Sequence, residues 1–373
     1  MVRLLALVTL LAASITAFAQ QPSTHQVNPD GSITFRYEDR SATTVAVRTD
    51  AFAEPLPLTR GENGLWAVTT PVLEPEIYSY VFVVDGTTKL DPTNSDTRPN
   101  YVSLSNNVTV PGNPPAPWEL TAIPHGRVDH HYYTTHVVKN LPENQSAYVV
   151  YMPPGYDAKR KGGYPVLYLL HGWSDPETGW TGVGHADLIL DSLIDSGKAV
   201  PMIVVMPLGY GNLDFVKHGG GVWDDAAKVD ENVSLYSQAL ETEVMPAVEH
   251  EYNLAKDRRS HAIAGLSMGG LESLTIGLNH TDQFAYVVGL SSALEGRHFE
   301  EHIPGLDAKK ANLSLLWVAC GTSDKLITPN REFVSWAKGK GLEVTAVETT
   351  GAHTWLTWRD NLVHFAPLLF RAK

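Results

Sequence analysis

The sequence of 373 residues has very little cysteine: Cys320 stands alone, so the chain cannot form an intramolecular disulfide. Cys320 lies in the apolar run 315–320, which predicts a buried small hydrophobic side chain rather than a nucleophile. Basic residues are also scarce. The 28 Lys and Arg face 41 Asp and Glu, and the resulting net charge of −13 argues against nucleic acid or an anionic membrane as a partner.

Long hydrophobic runs are missing after the first nineteen residues, so no later segment is predicted to cross a bilayer. Metal-ligand patterns are missing as well. His130 and His131 are adjacent in a predicted strand and point to opposite faces, and no H-x-x-x-H or clustered carboxylates accompany them. The sequence therefore predicts no metal site.

The N-terminal residues 1–19 are predicted to be a secretory signal peptide. Arg3 supplies the positive start, residues 4–15 the apolar core, and Ala17-Phe18-Ala19 a cleavage site. The apolar run of about a dozen residues is too short for a transmembrane anchor. We therefore expect a secreted or periplasmic protein, and about 350 mature residues predict two domains.

The chain changes character near residue 110. Residues 26–110 alternate apolar and polar side chains between turn signals, which predicts a small all-β immunoglobulin-like sandwich. Residues 111–117, rich in proline, read as a stiff linker. From residue 118 to 373, an antiparallel pair of strands is followed by apolar strands that alternate with helices. This pattern predicts an α/β domain with a mostly parallel, doubly wound sheet.

One serine lies between two glycines where a predicted strand turns into a helix, in Gly265-Leu266-Ser267-Met268-Gly269. Tight strand–turn–helix geometry of this kind exposes a nucleophile, and glycines avoid collisions with the neighbouring strand or helix. An ordinary turn with a helix-capping serine is the alternative. The setting favours Ser267 as a catalytic nucleophile.

A serine nucleophile needs a base held by a third group, and in a doubly wound sheet these lie beyond strand ends. Asp324 follows the strand predicted at 315–320, and His353 follows the one predicted at 342–348. The order Ser, acid, His is that of an α/β-hydrolase. We therefore predict that Ser267, Asp324 and His353 form a catalytic triad.

Two backbone N–H groups are predicted to bind the oxyanion, those of Trp173 and Met268. Trp173 ends the first parallel strand in His171-Gly172-Trp173, and Met268 follows the nucleophile. The stretch 218–221 looks like the H-G-G-G of lipases, but it lies after the second parallel strand and is predicted to be a flexible loop. His218 and Asp224 are candidates to line the substrate cleft.

Several motifs together resemble a known family. The stretches 169–172, 265–270 and 351–359 are similar to those of feruloyl esterases of carbohydrate esterase family 1, a group related to esterase D and enterochelin esterases. Residues 64–66, 78–86 and 91–92 resemble early-set β-sandwiches of the glycogen-binding-module type. The resemblance implies a cofactor-free acyl-enzyme mechanism that releases hydroxycinnamates from feruloylated xylan, with Ser267, His353, Asp324, Trp173 and Met268 in the roles given above.

Some questions stay open at this level. Acetylxylan and siderophore esterases share these motifs, and a carbohydrate-binding protein with an inactive hydrolase domain is a remote alternative. Trp355 and Trp358 either flank the substrate or pack the last helix. The N-terminal sandwich either binds sugar, through aromatics such as Trp66 and Tyr80, or docks on the hydrolase domain. The oligomeric state is not predicted.

Overall fold

A computed structural model describes residues 24–371, so the predicted signal peptide lies outside the described residues. The first part of the chain forms two antiparallel sheets, with the strand orders β1-β2-β6-β5 and β4-β3-β7-β10-β9, and β8 pairs with β7. A 3-10 turn, Glu62–Gly64, precedes β6. The strands are β1 (His25–Val27), β2 (Ile33–Glu38), β3 (Val45–Thr49), β4 (Leu56–Pro57), β5 (Thr59–Arg60), β6 (Leu65–Thr69), β7 (Glu76–Val84), β8 (Thr87–Lys89), β9 (Thr97–Arg98) and β10 (Ser105–Val110).

The two N-terminal sheets, here called the sandwich, pack face to face through aromatic side chains. The ring of Phe35 on β2 lies 4.9 Å from that of Tyr80 on β7 and 6.4 Å from that of Phe82. Trp66 is buried in the same core, 6% exposed, and Tyr80 is 1% exposed. Of the two alternatives for these aromatics, sugar binding and core packing, the structure favours core packing, because both Trp66 and Tyr80 fill the space between the sheets.

The second part of the chain contains one eight-stranded sheet with the order β11-β12-β14-β13-β15-β16-β17-β18. β12 pairs antiparallel with both β11 and β14, and every other neighbouring pair is parallel. The strands are β11 (Arg127–Thr134), β12 (Gln145–Met152), β13 (Val166–Leu170), β14 (Ile203–Pro207), β15 (His261–Leu266), β16 (Tyr286–Leu290), β17 (Leu315–Gly321) and β18 (Thr345–Thr349).

Helices cover both faces of this sheet, which buries its central strands completely. α2 and α10 pack on one face, and α4, α5, α6 and α9 on the other. A π-helical turn, Leu240–Val244, joins α4 to α5. The helices are α1 (Gly179–Gly182), α2 (Ala186–Asp195), α3 (Asp214–Lys217), α4 (Ala226–Ala239), α5 (Met245–Glu251), α6 (Met268–Asn279), α7 (Phe299–His302), α8 (Ala308–Ala311), α9 (Ile327–Gly339) and α10 (Trp355–Phe365).

The differences between prediction and structure lie at element ends. The strand expected from residue 342 begins at Thr345, because Gly341 adopts a left-handed conformation and Leu342 still donates to the carbonyl of Ala337, so both complete the end of α9. α4 begins at Ala226, and the apolar side chains that it buries recur at helical spacing from Val229 through Val233 to Tyr236. None of the helices within residues 24–371 combines the length and apolar character needed to cross a bilayer.

The sandwich contacts the helical layer through a buried arginine. Arg359 on α10 is fully buried and donates from Nε to Glu76 Oε1 at 2.9 Å, from Nη2 to the carbonyl of Ile77 and from Nη1 to that of Val183. Leu356, one turn earlier on α10, packs against the sandwich core. This contact explains why both faces of β7 are buried near its start.

We expect Glu76→Ala to lower the free energy of unfolding by about 3–5 kcal/mol, because it leaves the Arg359 charge buried without its partner. The matched control is Arg331→Ala, which removes a paired but exposed arginine next to Glu348 and should cost less than about 1 kcal/mol. Urea denaturation of both variants measures the difference. Equal stabilities would contradict a structural role for the buried pair.

Candidate active site

Ser267 occupies the sharp junction between β15 and α6. Its φ of 74° and ψ of −100° are rare for a residue with a side chain, so the surrounding packing must hold it there. A Cβ on Gly265 would lie 2.3 Å from the carbonyl oxygen of Gly269, and one on Gly269 would lie 2.5 Å from that of His171. Both glycines are therefore required for the close crossing of strand and helix.

The structure brings Ser267, His353 and Asp324 into one hydrogen-bonded row. Ser267 Oγ lies 3.0 Å from His353 Nε2, and His353 Nδ1 lies 2.7 Å from Asp324 Oδ2. Ser267 and Asp324 are buried, 9% and 2% exposed, whereas the imidazole side chain is 31% exposed. In this geometry the serine hydroxyl can pass its proton to the imidazole while the carboxylate orients the ring.

The acid is held in its charged form by hydrogen bonds. Burial opposes the charge on Asp324, but hydrogen bonding to His353 and to the backbone N–H of Leu326, at 2.7 and 2.9 Å, keeps the pKa of the carboxyl below its ordinary value. His353 lies between β18 and α10, and its ring meets Trp358 edge to face at 4.9 Å. The imidazole ring is thus held by a hydrogen bond to Asp324 and by an edge-to-face contact with Trp358.

The loop after β13, residues 172–175, lies beside the serine and is called here the oxyanion loop. A Cβ on Gly172 would be 3.5 Å from Ser267 Cβ. His171 fixes the start of this loop: its Nδ1 lies 2.8 Å from the carbonyl of Gly172, and its Nε2 accepts from the N–H of Gly209. Because Nε2 accepts from a backbone N–H and Nδ1 faces a carbonyl, the ring carries its proton on Nδ1, and burial lowers the pKa of His171.

The two N–H groups predicted to bind an oxyanion are free of protein partners. Within residues 24–371 neither the backbone N–H of Trp173 nor that of Met268 makes a hydrogen bond. Met268 begins α6, so its N–H belongs to the positive end of that helix. The Trp173 indole is held separately, by its Nε1 donating to the carbonyl of Phe215 at 3.1 Å.

A cleft of about 1380 Å³ opens over the serine, and both parts of the chain line it. Asp224, Trp355 and Trp358 line the cleft, and the two tryptophans are also packed in the core, where they are 1% and 4% exposed. Contact of these three residues with the substrate stays a prediction. His218 does not line the cleft: it follows the last turn of α3 with its side chain exposed.

Sequence reasoning missed other lining residues. The stretch 218–221 is not wholly a flexible loop, because its last two residues belong to a 3-10 turn, Gly220–Asp224. Trp223 in this turn lines the cleft. From the sandwich side, Val102 and Leu104 line the cleft and are about half exposed. No motif marks these residues, because only the fold brings residues 98–105 beside the serine.

Two further sites were considered from the side-chain chemistry. Cys320 is buried at the end of β17, and burial raises the pKa of its thiol to about 12, which fits a packing role. Among residues 24–371 no group of three or more His, Cys, Asp or Glu side chains is placed to hold a metal ion.

Comparisons with known proteins identify the family of the chain. The model of the family described as "Putative esterase" matches residues 140–369. An endo-1,4-beta-xylanase/feruloyl esterase of Xylanibacter ruminicola is 32% identical over 355 residues, which cover 92% of this chain and 46% of that protein. The chain thus spans about half the length of that relative.

Solved structures show the same fold. A ferulic acid esterase, 27% identical, superposes with a TM-score of 0.55 over 65% of this chain and 97% of its own. The enterobactin esterase of Shigella flexneri, 17% identical, superposes with a TM-score of 0.67 over 90% of this chain and 92% of its own. Family match, fold and serine row together lead to one conclusion: the chain belongs to this esterase family and is a carboxylic-ester hydrolase.

Proposed function

We propose that the protein is a secreted serine esterase that releases hydroxycinnamates, ferulate above all, from feruloylated plant cell-wall xylan through an acyl-enzyme. The observation that carries the mechanism is the hydrogen-bonded row Ser267–His353–Asp324 at the floor of the cleft. In this proposal no cofactor takes part.

The geometry supports a two-step acyl transfer. Ser267 Oγ attacks the ester carbonyl as His353 Nε2 takes its proton, and the N–H groups of Trp173 and Met268 stabilise the oxyanion. His353 then gives the proton to the departing sugar oxygen, which leaves a Ser267 ester. Water, deprotonated by His353, hydrolyses this ester, and collapse of the second tetrahedral intermediate releases the acid and returns the proton to Ser267.

The substrate class is proposed from the cleft and from the relatives' names. The Xylanibacter relative is called a xylanase/feruloyl esterase, and the 27% identical structure is called a ferulic acid esterase. In this chain Trp173 and Trp223 line the cleft together with the apolar Val102 and Leu104. Flat aromatic and apolar walls of this kind favour an aromatic acyl group over a small one.

A siderophore ester is the second candidate. The enterobactin esterase matches 90% of this chain, which includes strands of the sandwich as well as the eight-stranded sheet. At 17% identity this similarity is a similarity of fold. It makes a bulky catecholate ester the second class of substrate to test in the cleft.

The sandwich is proposed to dock on the catalytic part and to form one wall of its cleft. Arg48, Phe52, Val102 and Leu104 from this region line the cleft, and the buried Arg359–Glu76 pair attaches the two parts. The tight attachment favours the docking alternative over a freely tethered sugar-binding module.

We expect Ser267→Ala to lower kcat by about 10⁴–10⁶-fold, because the acyl-enzyme can no longer form. Ser234→Ala on the exposed face of α4 is the matched control and should keep wild-type activity. Initial rates with methyl ferulate measure both variants. More than a tenth of wild-type activity in Ser267→Ala would exclude this serine as the nucleophile.

Asp324→Asn should lower kcat by about 10³–10⁴-fold, since an amide no longer favours the imidazole tautomer that accepts the serine proton. Asp307→Asn is the control: Asp307 is the carboxylate nearest in sequence before β17, and it caps α8 by accepting from the N–H groups of Lys309 and Lys310. If Asp307→Asn is inactive and Asp324→Asn is not, the acid is wrongly assigned.

Hydrolysis of methyl ferulate, methyl acetate and enterobactin, measured side by side, tests the substrate class. We expect kcat/KM for methyl ferulate to exceed that for methyl acetate by at least about 10-fold, because buried aromatic surface favours the larger acyl group. A preference for methyl acetate would support an acetyl esterase. A preference for enterobactin would support a siderophore esterase.

A further inference from the structure

The oxyanion loop is held from outside its own sheet. Asp175 is 2% exposed and accepts hydrogen bonds from two side chains at and just after the end of β9: from Arg98 Nη2 at 2.9 Å and from Asn100 Nδ2 at 3.0 Å. The same Asn100 Nδ2 lies 2.9 Å from Ser174 Oγ, and the N–H of Tyr101 donates to the carbonyl of Ser174 at 2.7 Å. Residues 98–101, here called the clamp, thus hold two consecutive loop residues.

The loop needs this support at the residues that the clamp holds. Ser174 has a φ of 74°, a conformation that residues with a side chain avoid unless their surroundings impose it. Ser174 directly follows Trp173, whose N–H is a proposed oxyanion donor, so a change at Ser174 would rotate the neighbouring peptide groups. The clamp fixes both the carbonyl and the side chain of this strained residue.

The catalytic part supplies other contacts to the loop, but none of them carries charge. The N–H of Asp175 donates to the carbonyl of Gly172 at 3.2 Å, and Tyr210 Oη donates to the carbonyl of Asp175 at 3.2 Å. Within residues 24–371 Arg98 is the one cationic side chain that pairs with Asp175. Loss of Arg98 would leave a buried carboxylate without a counter-charge in the loop beside the nucleophile.

We propose that Arg98 and Asn100 are positioning residues for ester hydrolysis, which act through Asp175 and Ser174 to aim the Trp173 N–H at the developing oxyanion. This inference rests on the proposed function, because it needs the Ser267 acyl-transfer mechanism. It assigns to the sandwich region a part in transition-state stabilisation, in addition to forming a wall of the cleft.

The expected signature is a loss in kcat rather than in KM. A displaced donor weakens interactions made only in the transition state, and removal of one oxyanion donor costs about 10²–10³-fold in kcat. We expect Arg98→Ala and Asn100→Ala to lower kcat on methyl ferulate by about 10–100-fold, with KM within about 3-fold of wild type. Arg98→Lys, which keeps the charge, should recover a measurable part of the loss.

The matched control is Arg127→Ala on the edge strand β11. Arg127 also pairs with an aspartate, Asp129 at 2.9 Å, but it is exposed and lies at the far edge of the sheet. Its kcat should equal that of wild type. Thermal melting of every variant shows whether a lower rate reflects a lower fraction of folded protein.

Inhibition by a phenylboronic acid, which forms a tetrahedral adduct with a nucleophilic serine, separates positioning from a general structural effect. If the clamp aims the oxyanion donor, the Ki of the boronic acid should rise along with the loss in kcat in Arg98→Ala, while the Ki of the product ferulate stays unchanged. In a double-mutant cycle with Asp175→Ala, the losses in kcat should be strongly non-additive.

The proposal is overturned if folded Arg98→Ala and Asn100→Ala both keep wild-type kcat, if KM alone rises, or if the boronic acid and ferulate weaken equally. Failure of the proposed function is a different result, seen in the wild-type background as activity that survives Ser267→Ala. An inactive Ser267→Ala with unaffected clamp variants would therefore leave the esterase mechanism standing and remove only the role of the clamp.

Discussion

The direct junction of β15 and α6 at Ser267 is the constraint on which the site depends. No loop separates the strand from the helix, so one residue must reverse the chain in a conformation that is unfavourable for a serine. This junction is sterically possible because Gly265 and Gly269 have no side chain. The start of α6 can therefore pack directly against β13 and β15. The same closeness places the nucleophile beside the oxyanion loop, which follows β13.

The parallel sheet places the other two members of the row, Asp324 and His353. β15, β16, β17 and β18 are neighbours in that order, so the loops after β17 and β18 open on the same edge as the serine. Asp324 and His353 therefore lie within hydrogen-bond distance although 29 residues separate them along the chain. The sequence shows both the chain order of the three residues and their positions at strand ends. These two signals were enough to predict that the three side chains lie together.

Features that depend on contacts across the fold could not be predicted in this way. The β-strand pattern of the first 110 residues and the alternation that follows are local signals, and most strands lie within a few residues of their expected positions. Trp66 and Tyr80 could not be assigned to sugar binding or to the core from the sequence, because alternation does not tell which sheet face is covered. Arg98, Asn100 and Trp223 belong to no recognisable sequence motif. Their contacts with Asp175 or with the cleft form only when distant parts of the chain come together in the fold.

The pairing of Glu76 with Arg359 has a consequence for the order of events during synthesis. The two partners are separated by 283 positions, and Arg359 belongs to α10, the last α-helix within residues 24–371. The strands of the sandwich leave the ribosome long before their counter-charge exists, so a nascent chain must keep Glu76 in water until α10 is made. His353 is also translated late, only a few residues ahead of α10. The contact that joins the two parts and the row formed by Ser267, His353 and Asp324 therefore both depend on residues that are synthesised late.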